Sequence, residues 1–360
     1  MRTLSILSML AWAGAALSQE PRAVVLATNR DGRVEVFNAL TLATLGTLAI
    51  HPLAESTSAS PDGRTLYIAQ ESESTPGGCC GLFALDLETR RMCPVISPAL
   101  FGAPSPDGRF LFTQRGNSGI DVFDARTLQR LPTMKAPGVY SLHPSPGGQW
   151  LFGVTNWPAP SLDIFDVVRG TLAHRLPLPE GPATGAWAGD RFYVFSYGDQ
   201  GGQLWAVGPD DRTLPPAKPI YWDLPGSCDE PMPLMLAGAR DSLFLAEAFG
   251  FKVDRRRACP DTVHGGIHVI EPSSGRVHDY IGGEVYVNRM VASADGRTLY
   301  VLDSFGPDEK EGTRLLRLDV RTGRILASRE SHPGVWNLAL AQIPDNLIPH
   351  GRVRAVACRH

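Results

Sequence analysis

The chain has 360 residues, with 34 Lys and Arg against 37 Asp and Glu and a formal net charge of −3. The charges are mixed along the chain with no basic block or acidic tail, which argues against a nucleic-acid partner. A hydrophobic content of 43% supports a packed core, and 37 Gly with 30 Pro fit many short strands joined by many turns.

Arg2 opens the chain, residues 4–17 are apolar, and Ala16-Leu17-Ser18 places small residues at −3 and −1 of a cut before Gln19. This pattern predicts a secretory signal peptide over 1–18, too short an apolar run for a bilayer span. No later stretch is long and apolar enough to span. The mature chain is therefore expected outside the cytoplasm, periplasmic or secreted, without a transmembrane segment.

Three strands are expected next, at 23–29 (AVVLATN), 33–37 (RVEVF) and 44–50 (TLGTLAI). The organising unit then appears at 60–70, SPDGRTLYIAQ. Pro61 presets φ for a turn, Gly63 can take positive φ, and the residues that follow carry β-branched and aromatic strand chemistry. The unit returns as SPDGRFLFTQ from Ser105, SPGGQWLFGVTN from Ser145 and SADGRTLYVLD from Ser293. A V-x-V-F-D-like run recurs seven times, at 33–38, 82–86, 120–124, 162–166, 203–207, 267–271 and 315–319. Equivalent second-strand positions Leu66, Leu111, Leu151, Phe192, Leu243 and Leu299 are spaced by 45, 40, 41, 51 and 56 residues. Those periods predict an all-β, seven-bladed β-propeller of four-stranded blades, over 19–343, with 344–360 as a tail packed outside.

The N-terminal group supplies strands b, c and d of a blade but no strand a. Residues 335–341 (VWNLALA) form a strand with no repeat after it. Pairing the two closes the ring, with Val335, Leu338 and Leu340 expected to be buried against 23–29. An open ring would leave strand edges and apolar blade faces in water.

The V-x-V-F-D-like runs mostly end in Asp, Asn or Glu before a small polar turn, as at Asp86, Asp124 and Asp319. Recurring once per blade, they read as hairpin-nucleating side chains around the rim rather than as acid/base machinery.

Six cysteines suit an oxidising compartment. Two long insertions, 208–233 and 249–266, flank one blade on one face, so Cys228 and Cys259 are expected to form a disulfide. Cys80 lies awkwardly far from Cys93 along the strands. Cys358 is a partner for Cys93 if the tail packs on the adjacent blade, and a vicinal Cys79–Cys80 bond is a further alternative. Neither C-C nor C-x12-C resembles zinc spacing.

A site in such a fold belongs at the channel mouth, at the start of strand a. Aligned on the Ser-Pro-Asp-Gly turn, Glu55, Tyr140 and Asn288 are equivalent, with Arg289 and Asn337 close by. His51-Pro52 and His332-Pro333 precede strand a in adjacent blades. Two His, a Glu, an Arg and two Asn near one axis can bind an anion or a metal. The blander alternative is that these groups only hydrate a water-filled channel. His143, His174, His268 and His278 read as strand residues, and Trp150, Trp157, Trp187, Trp205 and Trp222 as blade packing. No nucleophile elbow, HExxH, phosphate loop or CxxCH is present.

The strand ends Phe152-Gly-Val-Thr-Asn156, Leu66-Tyr-Ile-Ala-Gln70, Leu299-Tyr-Val-Leu-Asp303 and Leu26-Ala-Thr-Asn29, with their Ser-Pro-Asp-Gly turns, resemble the YVTN-type (YncE-like) β-propeller repeat family. The resemblance covers nearly all the mature chain and is specific for fold. Relatives of that shape include secreted binding proteins, lactonase-type hydrolases and the heavy chain of methylamine dehydrogenase, and no catalytic motif of these matches residue by residue. The expected function is a secreted or periplasmic binding protein that takes a protein, peptide or small molecule through its insertion-bearing face and channel mouth. The alternative is a propeller enzyme or enzyme subunit using the channel mouth, lactonase-type or amine-dehydrogenase-heavy-chain-like. Cofactors are not legible.

Overall fold

The computed structural model describes residues 22–29, 32–50, 54–70, 81–96, 99, 101–114, 119–136, 138–155, 159–179, 183–198, 201–220, 235–246, 266–281, 285, 287–304, 313–331, 335–349, 351–352 and 354–355. These residues form seven antiparallel four-stranded sheets, the blades of a propeller, two of which carry an added short parallel strand from the C-terminal tail. Among them the one helical element is the 3₁₀ turn Asp345–Leu347.

Blade 1 is composite. Its strand a is Val335–Ile343 and its strands b, c and d are Arg22–Asn29, Arg33–Asn38 and Thr44–Ala49. The ladder runs from Arg22 opposite Ile343 to Asn29 opposite Val335. Val335 and Leu338 are buried on one face, which alternation allows only because the ladder slips by one residue between them, whereas Leu340 is only half-buried. Leu340 packs on the edge of the cluster that holds Val25 and Leu302. The remaining blades follow in chain order. Blade 2 begins at Ala54–Ala59, blade 3 at Ala103–Pro104, blade 4 at Val139–Pro144, blade 5 at Ala183–Ala188, blade 6 at Met235–Gly238 and blade 7 at Val287–Ala292.

The core is seven apolar clusters, each shared by two successive blades. Val24, Leu26 and Val36 of blade 1 meet Leu66, Ile68 and Leu85 of blade 2. On the other face of the same strands, Val25, Ala27 and Phe37 meet Tyr300, Leu302 and Leu315 of blade 7. Side chains alternate across a strand, so a strand buried on both faces must be apolar at successive positions. The run Val24-Val25-Leu26-Ala27 satisfies that, and all four are fully buried.

The Ser-Pro-Asp-Gly turn is built as its chemistry dictates. Ser60 Oγ donates to Asp62 Oδ1 (2.6 Å) and accepts the Thr65 N–H (2.9 Å), while Asp62 Oδ1 accepts the Arg64 N–H (3.1 Å). The same bonds recur at Ser105 and Ser293. Where Gly147 replaces the Asp, Ser145 Oγ still accepts the Trp150 N–H (3.0 Å). Gly63 has φ of 66°, and a Cβ there would sit 1.7 Å from the Gln342 carbonyl oxygen of blade 1. The turn therefore seats backbone to backbone against the closing strand, which only glycine permits.

The rim carboxylates are hairpin caps. Asp124 Oδ1 accepts the Thr127 N–H (2.7 Å) and hydroxyl (2.9 Å), and Asp319 does the same with Thr322. Hydrogen bonds from the Thr127 backbone and the Thr322 hydroxyl, respectively, lead in holding these two acids below their usual range. Two tyrosines then lock blade to blade. Tyr300 Oη donates to the Ala39 carbonyl (2.8 Å), and Tyr67 Oη makes the equivalent, longer bond to Ala125 (3.4 Å).

Candidate functional site at the channel mouth

Strand a is innermost in each blade, and its first residues lie at the channel mouth. In four blades the a–b ladder slips by one residue just there. The slip falls between Ala54 and Ser56, between Val139 and Ser141, between Val287 and Arg289, and opposite Thr28 and Asn29. The residues so extruded are Glu55, Tyr140, Asn288 and Trp336. A bulge leaves one residue outside the ladder, and bulges gather at sheet edges, rims and active sites.

This places the expected site residues. Glu55, Tyr140 and Asn288 occupy one equivalent, bulged position. Asn337 pairs with Thr28 as Arg289 pairs with Leu302, so those two are equivalent to each other, one step past the bulge. The residue matching Glu55 in blade 1 is Trp336. Alignment on the Ser-Pro-Asp-Gly turn missed it because the closing strand leads into no such turn. The signal available was the parallel between Val335-Trp336-Asn337 and Val287-Asn288-Arg289.

Blades 7, 1 and 2 are consecutive, and the first strand of blade 1 contacts the first strands of both neighbours. Asn288 with Arg289, Trp336 with Asn337, and Glu55 therefore follow one another along one arc of the mouth. Tyr140 stands apart on blade 4, 70% exposed. Arg289 Nη1 donates to the Asn288 carbonyl (2.8 Å) and lies 3.4 Å from Asn288 Oδ1. Both side chains are half-buried. His51 and His332 lie outside the described residues, as do Cys228 and Cys259, so the two expected mouth histidines and the expected disulfide are not placed.

Where strand b meets the start of strand a it carries a polar side chain in blades 1, 4 and 7, beside a bulge, and in blade 5, where the ladder does not slip. Asn29, Thr155 and Asp303 lie opposite Val335, Val139 and Val287, and Ser196 holds the same place opposite Ala183. All four are buried. Asp303 is held by Arg314 Nη2 (2.5 Å) and Nε (3.1 Å). Asn29 Nδ2, Thr155 Oγ1 and Ser196 Oγ have no hydrogen-bond partner among the described residues. Buried polar atoms are ordinarily paired, so these three, on blades 1, 4 and 5, call for water or a polar ligand group.

His143, on strand a of blade 4, serves packing. Its ring lies 5.1 Å from the Phe192 ring, and Nε2 sits 2.9 Å from Ser141 Oγ. Burial pushes its pKa down to about 4, so the imidazole is neutral at physiological pH. Trp187, partly buried beside it, packs edge-on to Phe152 (4.9 Å) and donates from Nε1 to the His143 carbonyl (3.3 Å). Trp150 and Trp205 join the same cluster between blades 4 and 5. Trp157 and Trp222 fall outside the described residues.

Fold and mouth geometry together define a seven-bladed β-propeller. No protein-family model matches the chain, and no curated protein does. Solved structures do match. A functionally unknown protein from Desulfotomaculum acetoxidans superposes with a TM-score of 0.62 at 12% identity, over 89% of this chain and 99% of its own. Hydrazine synthase of Kuenenia stuttgartiensis gives 0.58 at 14% identity, over 80% and 95% of the two chains. The dihydro-heme d1 dehydrogenase NirN, solved in complex with DHE, gives 0.55 at 13%, over 93% and 78%. At these identities the likeness is one of fold.

Proposed function

We propose that this protein is an extracytoplasmic propeller of the YVTN type that binds a polar ligand at its channel mouth, on the arc formed by blades 7, 1 and 2. The observation that carries the reading is the bulge recurring at one register in four strands, three of them on blades 7, 1 and 2, with the buried, unpaired Asn29 Nδ2 beside the bulge of blade 1. A strand that serves only as scaffold need not bulge at the same register in four blades. Compartment rests on the signal-peptide pattern of residues 1–18. Among the described residues no helix is long and apolar enough to cross a membrane.

The test is a thermal-shift screen of the mature protein against small anions, divalent metals, amines and lactones. Hits are repeated on Arg289→Ala and Tyr140→Ala. Binding that raises the melting temperature of the parent and of Tyr140→Ala, but not of Arg289→Ala, supports the arc on blades 7, 1 and 2. Equal binding by the parent and Arg289→Ala overturns it.

A second reading, an enzyme or enzyme subunit using the same mouth, draws on the names of two structural neighbours, a synthase and a dehydrogenase. Turnover of a lactone or amine that His51→Ala abolishes would favour it over simple binding.

A further inference from the structure

Past the closing strand the chain does not leave the ring. Arg22 Nη2 holds Asp345 Oδ2 at 2.7 Å, and Leu347 and Ile348 are buried in the cluster between blades 1 and 2 with Leu48, Leu87 and Met92. Gly351–Arg352 then adds as a parallel strand to the outer edge of blade 1, opposite Leu48 and Ala49. Two residues on, Arg354–Ala355 adds in parallel to the outer edge of blade 2, opposite Arg91 and Met92. The tail thus straps the closing blade to its neighbour.

The next residue on that edge, Cys93, is half-buried and disulfide-bonded. Its partner is one of Cys79, Cys80, Cys228, Cys259 and Cys358, all outside the described residues. Cys93 lies opposite Ala84, and the c–d ladder of blade 2 runs from Asp86 opposite Arg91 to Leu82 opposite Ile96. Cys80 precedes Ala84 by four residues, a span of about 13 Å at strand rise were the strand to run on past Gly81, against a Cα limit of about 7 Å. Cys228 and Cys259 belong to connections into and within blade 6. Cys358 follows Ala355 by three residues, and Ala355 lies one strand away from Met92, so Cys358 falls two residues past the place beside Cys93, a shorter reach than that from Cys80. We infer that Cys93 is bonded to Cys358, so that the tail is a covalent clasp across the ring's closing blade.

The bond joins the tail to blade 2 after the chain has passed through every other blade, and so closes nearly the whole ring into one covalent loop. A disulfide constrains the unfolded chain more as the loop it closes lengthens. Opening the closure then requires the tail to peel off two sheet edges and also the bond to be reduced.

The experiment is non-reducing peptide mapping of the full chain, secreted into an oxidising compartment and alkylated before digestion. A linked peptide containing Cys93 and Cys358 is the expected result. Cys93 linked to Cys79 or Cys80, or Cys358 recovered alkylated, overturns the inference. As a second readout, dithiothreitol should expose Arg352 and Arg354 to trypsin and lower the melting temperature by on the order of 5 °C. Cys358→Ser should show the same exposure without reductant. Resistance of both residues to trypsin in reduced, folded protein would show that no clasp is needed. If the variant does not fold, the map of the parent protein still decides.

Discussion

At the scale of single residues, the interblade tyrosines and the turn glycine make the sharpest predictions. Burial, aided by Asp62 and Asp124, raises the Tyr67 phenol to about 12 from 10. As pH rises the unfolded chain loses that proton first, so the stability tied to the neutral phenol is intact below about pH 10 and lost between about 10 and 12. Chemical denaturation across that range should show a fall that Tyr67→Phe reduces, and an unchanged slope in the variant would refute the assignment. Tyr300→Phe should cost about 1–3 kcal/mol at neutral pH, because the buried Ala39 carbonyl loses its partner. His143 works in the opposite sense. Its lowered pKa means that stability is present above about pH 6.5 and lost as pH falls toward 4. His143→Gln should flatten that acid limb. Gly63→Ala should be worse than any of these, since positive φ and a 1.7 Å approach to Gln342 both oppose a Cβ. A variant as stable as the parent would show that the turn does not seat on the closing strand.

At the scale of elements, strand a of blade 1 and the tail strap make distinct contributions. Removing the chain from Val335 onward exposes the edge of Arg22–Asn29 together with Val25, Ala27 and Leu302, and should yield aggregating protein by light scattering. Ending the chain after Pro349 keeps strand a, Leu347 and Ile348 while removing both edge strands. It should leave a folded ring with a lowered melting temperature. If both truncations behaved alike, the strap and the closing strand would be one cooperative element rather than two. The c–d hairpins are more autonomous, because Asp124 and Asp319 make their cap bonds within a few residues. Asp124→Ala should cost about 0.5–2 kcal/mol, the range for a lost capping bond.

At the scale of the whole molecule, no blade owns a core. Each apolar cluster takes one wall from each of two blades, so a single blade excised from the ring has nothing to pack against. Thermal unfolding of the mature protein should therefore be a single calorimetric transition. Two resolved transitions would mean that part of the ring stands without the rest.

The repeated turn, the seven V-x-V-F-D-like runs and the complementary chain ends were legible in the sequence because their causes are local. Ser60, Asp62 and Gly63 satisfy one another within six residues, and alternation assigns faces to Val24 through Ala27. Closure was legible too, since a strand a without a blade and a blade without a strand a can only be paired. What tertiary structure decided was register and neighbourhood. That Trp336 matches Glu55 rests on a one-residue slip in the ladder to Asn29, which the likeness of Val335-Trp336-Asn337 to Val287-Asn288-Arg289 hints at but only the pairing fixes. That Arg289 and Asn337 share an arc while Tyr140 lies on another depends on which blades are adjacent around the ring. The unpaired atoms of Asn29, Thr155 and Ser196 exist only because blade packing removes them from water. The tail's two edge strands depend on which sheet edges the finished ring leaves open beside residues 351–355.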